Sequence, residues 1–309
     1  MLPLALAAVL AAPGTESFQI VSTRVVPNLR PLAMAAAPTG RRVVLTLEDR
    51  RTIVIDAGTR RAVMTLDSHP LPARAAAWSP DGRWIATGDE SARVFVFDAK
   101  TGKRVRTIRE HQRAIQALSF SPKSDLLAST GGDDAVFVFA MDTGKKVGTI
   151  LGKGANVYGG CFTPAGSLLV GTLSKGVLLC RSDGQPVAQL GGHPGQGAFG
   201  CFPNKAGTLG VSAGRDGIAS LWDLKKRSRI NSLRGHQDWV TAAAFAPSGA
   251  YLATSSTDGT VRFWNPKRFR QIGILENQAR DGSPLAFTAD GAFLLTVSDQ
   301  GFLQVTQLR

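Results

Sequence analysis

Short apolar runs, broken every few residues by Gly, Pro, Asp or Ser, fill most of the chain. The pattern is plainest late in the sequence. Residues 240–245 (VTAAAF) are an apolar run of strand length, and Pro247, Ser248 and Gly249 make a turn after it. Residues 251–255 form a second run, Thr257, Asp258 and Gly259 a second turn. Residues 260–265 then alternate apolar with polar, and 271–275 close the unit. Such lengths and punctuation predict four short strands. No stretch sustains a helical period with caps, so the expected fold class is all-β.

The unit repeats. The turn SPDG at residues 79–82 recurs as APTG ending at Gly40, SPKS at Ser124, TPAG at Gly166, NKAG at Gly207, APSG at Gly249 and TADG at Gly291. The steps between these turns are 42, 42, 42, 41, 42 and 42 residues. Eight or nine residues after each turn comes a second slot, filled by Asp49, Asp133, Asp216, Asp258 and Asp299, with Ser91 and Ser174 in the other two units. Six residues later an apolar side chain ends a strand: Ile55, Phe97, Phe139, Cys180, Trp222, Trp264 and Val305. Seven turns in register predict seven units. A four-stranded unit of this size cannot bury its faces alone and must pack on copies of itself.

Trp222-Asp223, followed by Gly235-His236, Thr254, Asp258 and Trp264, resembles the WD-repeat family, and the likeness extends over residues 18–309. It implies a seven-bladed β-propeller of four-stranded antiparallel blades. It also implies a buried hydrogen-bond relay of His, turn Asp, strand Ser or Thr, and strand Trp in each blade. A buried Asp must be paired or hydrogen-bonded, and the other three groups supply those bonds. By spacing, the sixth unit has the full set: His236, Thr254, Asp258 and Trp264. The fifth has Ser212, Asp216 and Trp222, with His193 one residue out of register. The third has His111, Ser129 and Asp133, with Phe139 for Trp. The second has His69 and Thr87, with Ser91 for Asp and Phe97 for Trp. The first, fourth and seventh lack most of the set and are expected to rest on apolar packing.

The expected units are residues 31–66, 67–108, 109–150, 151–190, 191–233, 234–275 and 276–309, in a single domain over 12–309. The last unit stops at its third strand, residues 301–308. Residues 18–29, with Arg24, Val25 and Val26, match a fourth strand, so the N-terminal strand is expected to complete the last blade. Closure of this kind removes the unpaired edge.

Composition changes the picture little. Of 309 residues 43% are hydrophobic and 19% charged, an ordinary globular balance. The net charge of +13 is a larger departure. It favours acidic proteins, anionic lipid or nucleic acid as loose partners, and it equally fits a solvated basic surface. Three cysteines, Cys161, Cys180 and Cys201, argue against a disulfide framework and are expected as buried small side chains. Residues 1–12 (MLPLALAAVLAA) suit the apolar core of a signal peptide with cleavage near residue 11, though no Lys or Arg precedes the run. The expected location is therefore exported, periplasmic or secreted, with cytoplasmic as the alternative. No later segment is long and apolar enough to be transmembrane.

All four histidines fall in or beside the structural His slot, which leaves none as a spare general base or metal ligand. No phosphate-binding Gly loop, dinucleotide fingerprint or nucleophile elbow occurs. The chain is thus expected to be a non-catalytic protein-interaction scaffold without cofactor or metal. The alternative is a propeller hydrolase or lyase with an axial channel site. The expected binding face is the one carrying the loops before the innermost strands and the turns between the second and third strands; it should hold Glu90 and Thr257, with Arg74, Arg113, Gln116, Arg215, Asp238, Trp239 and Thr241 as candidates. Trp and Arg are favoured at interface hot spots. The opposite face should carry a basic rim: Arg60-Arg61, Lys100, Lys103-Arg104, Lys145-Lys146, Lys225-Lys226-Arg227, Arg229, Lys267-Arg268 and Arg270. The expected partner is another protein or peptide, an acidic one suiting the charge. Without aromatic interleaving on the rim, specific nucleic-acid recognition is not expected. The chain is expected as a monomer or as part of a hetero-complex.

Overall fold

The computed structural model describes residues 18–152, 154, 156–193, 197–280 and 284–309. The proposed signal segment, residues 1–11, lies outside them. The described chain forms seven four-stranded antiparallel sheets and no helix. Six are consecutive in sequence. Blade two, for example, runs Ala73–Trp78, Trp84–Asp89, Val94–Asp98 and Arg104–Ile108 from the innermost strand outward. The innermost strands touch in ring order, Pro31–Ala36 on Ala73–Trp78 and onward to Ala286–Phe287, which returns to Pro31–Ala36. This is a closed seven-bladed propeller.

The seventh blade is the discontinuous one. Its inner strands are Ala286–Phe287, Phe293–Val297 and Leu303–Leu308, and its fourth is Ile20–Val26 from the other end of the chain. Thr23 pairs with Thr306 and Val26 with Leu303, antiparallel. Amide bonds between Gln19 and Arg309, at 2.7 and 2.9 Å, fasten the ends. The regular strand is shorter than the residues 18–29 expected from sequence. Pro27 has no N–H to continue a ladder, and Asn28 turns the chain at φ 65°.

The repeated turn has one geometry throughout. Its last residue is left-handed in all seven units, with φ between 61 and 84°. Six of these residues are glycine, which takes this conformation freely, and Ser124 stands in the seventh. The core is divided among seven apolar clusters, one at each seam between neighbouring blades. Between blades three and four, for instance, Val136, Val138 and Ile150 meet Val157, Leu168 and Cys180. Each blade is therefore buried by its neighbours, as the repeat length requires.

Candidate functional site

Three blades place a histidine inside a complete or nearly complete relay. In blade six Trp264 Nε1 donates to Thr254 Oγ1 at 2.8 Å, the hydroxyl meets His236 Nε2 at 2.8 Å, and His236 Nδ1 meets Asp258 at 2.9 Å. The Asp258 carboxylate accepts from His236 Nδ1, and the Thr254 hydroxyl links the imidazole to the indole. Asp258 feels burial pushing its carboxyl upward. The bonds from His236, Thr260 and the Gln237 amide outweigh that and hold it well below the usual carboxylate range.

Blade five corrects the spacing argument. His193 joins its relay fully, with Nδ1 at 2.9 Å from Asp216, Nε2 at 2.8 Å from Ser212, and Trp222 Nε1 donating to Ser212 at 2.9 Å. His193 precedes the first paired residue of its inner strand, Ala198, by five residues, where His236 precedes Val240 by four. The spacing differs by one residue and the relay forms all the same. Blade three matches its expectation, with His111 at 2.8 Å from both Asp133 and Ser129, and Phe139 without a hydrogen to donate. Blade seven is not purely apolar. Gln278, 3% exposed, takes the His slot and donates to Gln304 at 2.8 Å, which also accepts from Thr296. These networks sit inside blades and present nothing to a ligand.

The face that can receive one is built by a different feature. In six blades the pairing between the first two strands skips one residue: Leu32, Arg74, Gln116, Tyr158, Phe199 and Thr241. Each is the extra residue of a β-bulge, which kinks a strand and re-aims a side chain. All six line one axial chamber of about 760 Å³, together with Trp239, Thr257 and Arg280. The bulges thus turn one repeat position into a ring of side chains around the axis.

On one side of the chamber the ring is aromatic. Tyr158 and Phe199 meet edge to face at 5.4 Å, and Phe199 and Trp239 lie 5.6 Å apart. Trp239 remains 41% exposed. Arg215, from the turn between the second and third strands of blade five, lays its guanidinium over all three rings, 5.5, 5.0 and 4.7 Å from the centroids of Tyr158, Phe199 and Trp239. Its Nη2 also donates to the Tyr158 hydroxyl at 3.3 Å.

Of the seven residues singled out from sequence, Arg74, Gln116, Trp239 and Thr241 line the chamber, and Arg215 stacks on its aromatic wall. Arg113 and Asp238 do not line it. The Asp238 carboxylate instead accepts the Trp239 N–H at 2.8 Å. Sequence reasoning missed Leu32, Tyr158, Phe199 and Arg280. Three of these could have been found: steps of 42, 42, 42, 41 and 42 connect Leu32 to Thr241 through Tyr158 and Phe199, as they connect the turns.

Elsewhere the chemistry is structural. Asp98 and Asp223 accept backbone amides of the following turn, from Lys100 and Thr101 and from Lys225 and Lys226, at 2.7–3.0 Å. They shape the turns whose lysines and arginines form the exposed basic rim. The three cysteines are free. Burial pushes the Cys180 thiol up to about 11. Among the described residues no group of three His, Cys, Asp or Glu side chains is placed to hold a metal, and no helix is long and apolar enough to cross a membrane.

A closed ring of seven blades, with relays inside the blades and a chamber on the axis, defines a propeller of the repeat type. The family model for the WD domain, G-beta repeat, matches residues 60–98, 102–139 and 227–265. Each match runs from the outer strand of one blade through three strands of the next, covering blades two, three and six. Three of the seven blades thus match the WD repeat, within a seven-bladed β-propeller. No curated protein matches it at a significant level.

Proposed function

We propose that this propeller is a non-catalytic scaffold that receives a segment of a partner protein at the mouth of the axial chamber. The carrying observation is the wall of Tyr158, Phe199 and Trp239, with Trp239 41% exposed beside an open chamber. Large, half-exposed aromatics beside a concave site are the residues that dominate interface energetics. The lining supports the same reading against the enzyme alternative. It brings two guanidiniums and two thiols to the axis but neither a carboxylate nor an imidazole, the groups that acid–base hydrolysis or elimination would use.

The test is quantitative capture on immobilised full-length protein, comparing the wild type with Trp239→Ala and Phe199→Ala. Proteins held by the wild type should fall by about tenfold or more on both variants, the loss usual for a hot-spot aromatic. If the bound set is the same for all three, the partner binds elsewhere.

A further inference from the structure

We propose that the segment received at the chamber is acidic: one of its carboxylates pairs with Arg215 while a neighbouring apolar or aromatic side chain packs against the exposed part of Trp239. This rests on the scaffold reading above and names the chemistry of the partner.

Arg215 is an unusual cation. Its stacking on three rings uses the faces of the guanidinium and leaves the in-plane N–H donors as its remaining valence. One of them reaches the Tyr158 hydroxyl, and Nε is buried with no hydrogen-bond partner among the described residues. Among the described residues no carboxylate lies within ion-pair distance of Arg215, Arg280 or Arg113. Elsewhere Arg41 pairs with Asp290, and at the chamber itself Arg74 pairs with Glu90, both at 2.6 Å. Arg215 differs from both: it is held in a fixed pose on the aromatic wall with no counter-charge among the described residues.

The surroundings carry the same sign. Arg280 lines the chamber beside the Arg74–Glu90 pair, no described Asp or Glu is part of the lining, and the whole chain carries +13. A cationic segment would find Arg215 already over the three rings and would meet two guanidiniums, Arg215 and Arg280, that no described carboxylate pairs. An anion meets a donor fork that is already immobilised, so little side-chain entropy is lost on pairing. The aromatic wall beside it calls for an apolar companion on the same segment. A volume of about 760 Å³ is room for a stretch of chain rather than a lone ion.

The experiment is selection of a phage-displayed random linear peptide library on the full-length protein, followed by fluorescence polarisation with the enriched peptides. Peptides with Asp or Glu beside an aromatic or leucine should be enriched. Their Kd should rise about tenfold or more on Arg215→Gln, less on Arg280→Gln, and recover partly on Arg215→Lys. Melting curves of the variants keep a folding defect apart from a binding one. Enrichment of neutral or basic motifs that still need Trp239 would overturn the acidic occupant and leave the scaffold reading standing. Acidic peptides indifferent to Arg215→Gln would overturn the pairing. No enrichment, with pyrophosphate alone raising the Tm, would assign the chamber to a small anion and overturn the proposal. No enrichment together with Trp239-independent protein capture would sink both readings.

Discussion

Blades two and six begin with the same histidine and the same strand hydroxyl, yet they build different networks. In blade six His236 is bonded at both ring nitrogens and the indole of Trp264 completes the relay. In blade two His69 Nε2 meets the Thr87 hydroxyl at 2.9 Å, but Nδ1 has no partner. The cause lies two residues away from the expected slot. Ser91 stands where Asp258 would be, and a carboxylate appears instead at Asp89, a position occupied by Gly131 and Gly214 in blades three and five. Those glycines leave space for the histidine ring: a Cβ added to either would fall within 2.3 Å of it. Asp89 is fully buried and turns one oxygen onto the Ser91 hydroxyl and the Ser91 and Arg93 amides, at 2.6–3.2 Å, leaving the other without a bond. His69 compensates by packing edge-on against Phe95 at 4.7 Å. Both blades nevertheless have the same four strands. The seams between blades make the fold, and the relay stiffens a blade whose fold is already decided.

That ranking predicts the largest loss at a seam. Removal of residues 1–26 takes away the strand Ile20–Val26, with Ile20 and the Phe18 ring that pack into the cluster between blades six and seven. It also exposes the edge of Leu303–Leu308. The Tm should fall by about 10 °C or more, the shift expected from several kcal/mol in a domain of this size. A truncated protein that melts with the full chain would show that closure contributes nothing.

Next come the relays themselves. Asp258→Ala leaves His236 Nδ1, the Gln237 amide and the Thr260 amide without their acceptor. It should destabilise by about 2–4 kcal/mol in urea unfolding. Ser91→Ala in blade two removes only a hydroxyl bonded to its own turn and should cost about 1 kcal/mol or less. Equal losses at the two positions would break the contrast between the blades.

The same contrast marks what a sequence can disclose. Turns recur at fixed steps because left-handed geometry demands Gly at nearly all of them, so Gly40 through Gly291 announced seven blades. Relay partners were legible where spacing is constant, as for His236 and His111. His193 was set one residue out of register because the spacing from it to its inner strand is one residue longer than in blade six, yet it reaches the same partners. The network around Gln278 and Gln304 was missed because amides at those slots carry no family signal. The chamber ring was half seen: Arg74, Gln116 and Thr241 were chosen from their place in the repeat, whereas Leu32, Tyr158 and Phe199 at the same position were passed over. A bulge changes where a side chain points without changing the composition of its strand. Arg215 was chosen from its place in a turn, but three rings from three different blades converge on it only in the closed ring.

The smallest effect, and the finest test of the comparison, is the pH window in which each blade loses its polar contribution. Burial pushes His69 below its ordinary value, opposed by Asp89 and reinforced by Arg104, and burial does the same to His193. A histidine kept neutral in the fold binds its proton more readily when unfolded. Its contribution is therefore present above the ordinary value of about 6.5 and is lost as pH falls below it, at no more than about 1.4 kcal/mol per pH unit for each ring. Asp258 moves the other way in cause but not in direction of loss. Its carboxyl is held low by bonds to the charged form, so its contribution persists above the ordinary carboxylate value and disappears only in stronger acid. Stability should thus decline first between about pH 7 and 5, through blades two and five, and again below about pH 4, through blade six. His69→Gln should flatten the first decline and leave the second, whereas Asp258→Ala should remove part of the second and leave the first. Urea midpoints measured across this range distinguish the two. If His69→Gln leaves the upper slope as steep as in the wild type, the unbonded nitrogen of blade two is not a neutral buried ring, and the difference between the two blades lies in packing alone.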